Sequence, residues 1–134
     1  MHHSLYPGIY IGSAAGHKGA GGIAIGDSAS YSGSNSGGIA IGNRSLRNIL
    51  SGIHNIGLGT KTLESTTSGE YNVSVGLFSL NDNTSGSNYV AIGNNTLDRN
   101  TIGNDNTALG SQAVFLGILN NPSNSTAIGA NAKV

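Results

Sequence analysis

The chain has 134 residues, the length of one ordinary domain, and its six basic and six acidic side chains cancel to a formal net charge of zero. From this balance we expect no basic surface of the kind by which proteins bind nucleic acid or anionic lipid, and the absence of cysteine excludes a disulfide framework. No apolar run is long enough to predict membrane insertion. Charged residues are only 9% of the chain, so Ser, Thr and Asn must supply the polar surface.

Along the chain, eight short motifs repeat one pattern: two β-branched or leucine residues, separated by a single residue and followed at once by glycine. The motifs are Gly8–Gly12, Gly22–Gly26, Gly38–Gly42, Asn55–Gly59, Asn72–Gly76, Tyr89–Gly93, Asn106–Gly110 and Ser125–Gly129. Their final glycines lie 14 to 19 residues apart. A repeat this short cannot bury a core alone and must stack on its neighbours, so the pattern predicts an elongated solenoid.

We number each repeat from its final glycine, the anchor glycine, as position 0. Positions −3 and −1 are large and apolar or β-branched, and position −2 between them differs. This alternation predicts a short strand whose −3 and −1 side chains face the interior. Position +3 is always small, and position +4 is Leu or Val in five repeats, which predicts a second short strand in each coil. We therefore expect an all-β parallel β-solenoid of about eight coils over residues 8–134, preceded by a lead-in at residues 1–7.

The anchor glycines are predicted to turn a corner of each coil with positive φ, a conformation that glycine adopts without steric cost. They are Gly12, Gly26, Gly42, Gly59, Gly76, Gly93, Gly110 and Gly129. A larger residue at these positions should therefore destabilise the coil.

Small residues recur at position −2, which the alternation places on the outer side of the strand. They are Ala24, Ala40, Gly57, Ser74, Ala91, Ala108 and Ala127. A solvated strand face usually carries charged or long polar side chains, so this column predicts a close contact between identical chains. The alternative is that a narrow solenoid simply prefers small residues.

Two of the motifs resemble a known family. Asn88-Tyr-Val-Ala-Ile-Gly93 and Asn124-Ser-Thr-Ala-Ile-Gly129 resemble the head-domain repeats of trimeric autotransporter adhesins. The longer stretches 67–76 and 84–93 are similar to repeats of phage tail fibres. The resemblance implies a left-handed parallel β-roll in which three chains pack along one axis, and the residues beyond the family's shorter period should form surface loops.

Nothing in the sequence assembles a catalytic or metal site. The histidines His17 and His54 lie in different repeats, the acidic residues are scattered among turns, and neither a nucleophile elbow nor a cysteine nucleophile is present. The glycine-rich stretch 16–22 lacks the Lys-Ser/Thr of a phosphate-binding loop and is interpreted as a turn. We expect no enzymatic activity, no cofactor and no metal ion.

The resemblance and the loops together predict an extracellular attachment rod, on a virion tail fibre or a bacterial cell surface, that assembles as a homotrimer. Its expected partners are copies of itself and a host cell-surface glycan or protein receptor, since loops on a rigid scaffold often carry binding. Tyr31, Tyr71 and Tyr89 are the candidate receptor contacts, with Tyr71 and Tyr89 forming a shared strip. The alternative is a structural filament subunit that stacks end to end without a specific ligand.

Overall fold

The computed structural model describes residues 7–18, 21–33, 35–114 and 122–134, so six of the seven lead-in residues lie outside the described part. Eight strands follow one another in chain order within one parallel sheet. They are β1 (Ile9–Ile11), β2 (Gly22–Ile25), β3 (Gly38–Ile41), β4 (Ile56–Leu58), β5 (Val73–Val75), β6 (Val90–Ile92), β7 (Thr107–Leu109) and β8 (Thr126–Ile128). The described residues contain no helix, and the fold is a parallel β-solenoid.

Equivalent positions of successive repeats stack directly on one another. Ile23 of β2 pairs with Ile39 of β3, for example, and Ala91 of β6 pairs with Ala108 of β7. This register holds whether the repeat has 14, 17 or 19 residues, because the additional residues are accommodated between the strands. The sequence period therefore predicts the strand pairing correctly.

The strands face the opposite way from the sequence prediction. The −2 residues point inward, and all seven of the small ones are buried: Ala24, Ala40, Gly57, Ser74, Ala91, Ala108 and Ala127. They cannot form the chain-to-chain contact that we predicted for them, because no other chain can reach them. The alternative interpretation is the one that holds, since the centres of β2 to β8 are all Ala, Gly or Ser and are buried within one chain. The centre of β1, the first strand of the stack, is Tyr10, which is partly buried against the core.

The second side of each coil is not a strand. It holds the buried small residues at +3 and the buried leucines Leu46, Leu63, Leu80 and Leu97 at +4, as expected from their apolar column. The leucines, however, have φ near +50°, and positions +2 also have positive φ. Alternating backbone conformations of this kind exclude the extended geometry of a strand. The predicted second strand is therefore wrong, although the burial of the leucines at +4 was predicted correctly.

A column of buried asparagines at position −4 joins neighbouring coils. Asn72 donates from Nδ2 to the Gly86 carbonyl at 3.0 Å, and its Oδ1 accepts the backbone N–H of Tyr89 at 3.0 Å. Asn55 makes the equivalent pair of bonds to Gly69 and to the Asn72 N–H. Each side chain thus pairs with a buried backbone N–H and a buried carbonyl, and the Gly86 carbonyl also accepts Nδ2 of Asn83 at 3.0 Å. The recurrence of Asn at one offset was the sequence signal for this column.

Candidate functional site

The eight anchor glycines have φ between +121° and +140°, a region that L-residues rarely adopt. Their corners also leave no room for a side chain. A Cβ on Gly93 would lie 2.5 Å from the carbonyl oxygen of Gly110, the anchor of the following repeat. At Gly129, the anchor of the last repeat, nothing lies within 4 Å of the corresponding position. The anchors therefore combine unusual backbone conformation with close stacking.

The inverted strands place the larger apolar side chains outside. Every −3 and −1 residue of the eight strands is Ile, Leu or Val except Thr107 and Thr126, and none of these side chains is fully buried. Ile41 is 38% exposed and Ile92 is 42% exposed. These columns form one outer surface, which we call the strand face. The inverted orientation also places both threonines outside, against the sequence prediction.

Tyr89 is not available to a receptor, because its side chain is completely buried. It occupies the −4 position, where three other repeats have asparagine, and its hydroxyl donates to the Gly103 carbonyl while accepting Nδ2 of Asn100 at 2.5 Å. Burial raises the pKa of the Tyr89 phenol, and the Asn100 hydrogen bond partly opposes that shift. The predicted strip shared by Tyr71 and Tyr89 is therefore wrong.

Tyr71 is exposed, with 52% of its surface accessible, but one face of its ring is occupied. The ring stacks on His54, the equivalent residue of the preceding repeat, with 5.5 Å between centroids and 22° between planes. A sugar that binds aromatics needs a free ring face. Tyr71 can offer only its other face or its hydroxyl edge to such a ligand.

Tyr31 has neighbours on both faces. Its ring lies 4.9 Å from that of His17, nearly parallel at 6°, and the guanidinium carbon of Arg47 lies 5.8 Å from the ring centroid. His17 belongs to the preceding repeat and Arg47 to the following one, so the two neighbours lie on opposite sides of the ring. Only the edge of Tyr31 remains for a ligand.

The described part of the chain contains no group of three or more His, Cys, Asp or Glu side chains that could hold a metal ion. No helix within it is long and apolar enough to span a bilayer. His17 and His54 each stack on a tyrosine in a different part of the rod. The surfaces that the structure does assemble are therefore the strand face and the columns of stacked side chains along the corners.

No protein-family model, curated protein or solved structure matches the chain.

Proposed function

We propose that the chain forms part of an extracellular trimeric attachment rod, with the left-handed winding of adhesin head domains, on a phage tail fibre or a bacterial surface. The rod has no catalytic role and carries a receptor-binding surface away from its anchor point. The proposal depends on the resemblance of the repeats and, above all, on the apolar strand face.

The strand face is the observation that carries the proposal. Seven parallel steps of about 4.8 Å give this apolar strip a length of about 34 Å. A solvated strand normally alternates apolar and polar side chains, whereas here the outer positions are apolar and the inner ones are small. Contiguous apolar patches on soluble proteins usually mark an interaction site. Identical chains are the partner that matches a strip running along the whole rod.

A trimer suits this strip because three such faces can meet around one axis and cover one another. The head-domain repeats that the motifs resemble belong to adhesins whose chains pack in threes. The exposed remainder of each coil, including Tyr71 and the turns between the strands, then points away from the axis towards a glycan or protein receptor. This arrangement supports attachment rather than chemistry.

Native mass spectrometry at several protein concentrations, combined with electron microscopy, tests the assembly. We expect discrete trimeric rods for the wild-type chain and monomers for the double variant Ile41→Lys/Ile92→Lys, which places two charges on the strand face. The matched control is Leu50→Lys, since Leu50 is 60% exposed but lies outside the strands. A monomer at all concentrations, or equal effects of the two variants, would overturn the trimer. Open filaments would favour the structural filament instead.

Receptor binding is tested separately with the folded trimer. Replacement of Tyr71 by alanine removes the exposed ring and should weaken binding to host-cell glycans on an array or to whole cells. Replacement of the buried Tyr89 by phenylalanine, which leaves the surface unchanged, serves as the control. Equal binding by all three proteins to every glycan and cell type tested would remove Tyr71 from the proposed surface.

A further inference from the structure

Positive and negative side chains are strongly separated along the rod, although the net charge is zero. Residues 1–62 carry four cations and one carboxylate, a net charge of +3, whereas residues 63–134 carry two cations and five carboxylates, a net charge of −3. All twelve of these side chains lie in the described part of the chain. Since chain order is also the stacking order of the repeats, one half of the rod is basic and the other is acidic.

Most of these charges share one side of the rod, formed by positions +2, +5 and +6, which we call the charged side. The adjacency of its columns is shown by the ion pair between Nη1 of Arg44 at +2 and Oε1 of Glu64 at +5, which are 3.6 Å apart. Asn81 at +5 bridges the same columns, donating to the Lys61 carbonyl at 2.9 Å and to Oε2 of Glu64 at 3.4 Å. The charged side follows the anchor glycines and is distinct from the strand face.

Going along the charged side, cations come first and carboxylates follow. The cations are Lys18, Arg44, Arg47 and Lys61. The carboxylates are Glu64, Asp82 and Asp98, and Arg99 is the one cation among them. Within the described residues, Arg44 and Glu64 form the only ion pair. Opposite charges therefore lie on one surface but mostly too far apart to neutralise each other within a chain.

In the acidic half, burial and two neighbouring charges act on the carboxyl of Asp82. Desolvation raises the pKa of the Asp82 carboxyl, and the neighbouring Asp98 carboxylate raises it further, while Arg99 lowers it. In the basic half, Lys61 lies 5.3 Å from the ring centroid of Phe78 rather than against a carboxylate. A cation brought to Asp82 and Asp98, and an anion brought to Lys61, would each find a complementary surface.

We propose that the charged side binds the charged side of a second copy of this chain in antiparallel orientation. A twofold axis across the charged side, between the repeats of Gly59 and Gly76, reverses the order of the repeats, so the repeat of Lys61 faces that of Asp82 and the repeat of Arg44 and Arg47 faces that of Asp98. The symmetry repeats both pairs, as in any isologous contact. A parallel, in-register arrangement would instead place basic repeats against basic repeats and acidic repeats against acidic repeats.

This contact differs physically from the one proposed for the strand face. Charges on an exposed surface are screened over a Debye length of about 8 Å at physiological ionic strength, so added salt should weaken the antiparallel contact. Apolar association is not weakened in this way. The inference does not depend on the trimer, because it uses another side of the rod. If trimers form, the charged sides would join rods that point in opposite directions.

The test uses three charge variants of the full chain. An acidic variant carries Arg44→Glu and Lys61→Glu, a basic variant carries Asp82→Lys and Asp98→Lys, and a swapped variant carries all four changes and keeps the net charge of zero. Sedimentation velocity at low and high salt measures the association of each variant beyond the species that it forms at high salt. Circular dichroism verifies that each variant is folded.

We expect wild-type association at low salt to be lost at high salt and to weaken by about tenfold or more in the acidic or basic variant alone. An equimolar mixture of the acidic and basic variants should associate again, and the swapped variant should associate with itself. The swapped variant should not associate with wild type, because antiparallel pairing would then oppose like charges. Salt-insensitive association, no rescue in the mixture, or pairing between swapped and wild-type chains would each overturn the proposal.

Discussion

Individual residues in this solenoid adopt backbone conformations that most proteins reserve for glycine. Among the residues that the structure describes, eighteen non-glycine residues have positive φ, between +47° and +61°, at positions +2, +4 and −5 of the repeats. These values lie near the left-handed helical minimum, which costs an L-residue roughly 1–2 kcal/mol. Backbone hydrogen bonds between coils hold them there, as when Leu80 donates to the Thr96 carbonyl at 2.9 Å. Stacking therefore stabilises conformations that the local sequence does not favour.

Two anchor glycines, Gly93 and Gly129, allow the cost of backbone strain to be measured apart from the cost of a steric clash with the next coil. This comparison gives the first prediction. Gly93→Ala should lower the melting temperature much more than Gly129→Ala. Both changes incur a strain of roughly 1–3 kcal/mol, but only at Gly93 does the new Cβ meet the Gly110 carbonyl, at 2.5 Å. Thermal unfolding at fixed protein concentration measures both. Equal losses would mean that the close approach of neighbouring anchors is unimportant.

The sequence identifies the anchor glycines but not the residues that could replace them. Asparagine tolerates φ near +57°, so it is an apparent substitute for a corner glycine. The observed φ of +140° at Gly93 lies well beyond that minimum, and asparagine should be no better there than valine. Gly86, which looks like an ordinary loop residue, is also constrained, because a Cβ would meet the Gly103 carbonyl and the Tyr89 hydroxyl. These limits come from neighbouring coils.

The second prediction concerns the asparagine column. Asn72→Ala should cost roughly 1–3 kcal/mol, the cost of one buried group left unpaired, because it removes the acceptor of the buried Tyr89 N–H, whereas the Gly86 carbonyl keeps its hydrogen bond from Nδ2 of Asn83. Asn43→Ala is the matched control, since Asn43 is exposed at position +1. Urea unfolding of both variants tests the difference. A loss at Asn72 no larger than that at Asn43 would show that the column is dispensable.

Tyr89 supplies a third prediction, on pH. Its pKa is raised by burial in the folded chain, so between the ordinary phenol value of about 10 and the raised value the folded state binds more protons than the unfolded state. Folding stability must fall as pH increases through that interval. Ultraviolet titration should show a late-ionising phenol that is absent in Tyr89→Phe. A titration identical in the two proteins, apart from one ordinary tyrosine, would contradict the burial of Tyr89.

The strands themselves show why a periodic pattern can be assigned to the wrong face. Hydrophobicity ranks isoleucine above alanine, so alternation of the two predicts that isoleucine faces inward. Here the interior is limited by the width of the coil, and small buried residues such as Ser45 and Ala40 fill it. The sequence specifies period, register and corners. It does not specify the coil width or the presence of a partner, and these two quantities determine which face is buried.

The fourth prediction contrasts one interior and one strand-face residue. Leu80→Ala should cost roughly 2–5 kcal/mol by leaving a cavity, at any protein concentration, because Leu80 is fully buried within one chain. Ile92→Ala should cost less in dilute protein, and its cost should increase with concentration as the strand faces pair. Denaturant unfolding over a range of concentrations separates the two. A large loss of unfolding free energy in Ile92→Ala that does not depend on concentration would mean that Ile92 faces the interior of the coil.

The whole rod presents two surfaces with opposite responses to solvent. The strand face should associate through apolar contact, whereas the charged side should associate only where salt does not screen it. A rod with both surfaces can form a defined bundle and can also join bundles of opposite direction. Neither behaviour follows from composition, since a net charge of zero and a hydrophobic content of 37% describe many proteins. Both depend on which residues the stacking brings together.

Alanine fills the interior of the rod and isoleucine covers the strand face, and under our proposal the strand faces pair with those of other chains. The chain has no cysteine, so single cysteines at adjacent positions of β6 report directly on both faces through their rate of thiol labelling. Ala91→Cys should remain unreactive at every protein concentration without denaturant, whereas Ile92→Cys should react quickly in dilute protein and become protected in concentrated protein. Rapid labelling at position 91 would contradict the inward orientation of alanine. Labelling at position 92 that does not depend on concentration would contradict the pairing of strand faces.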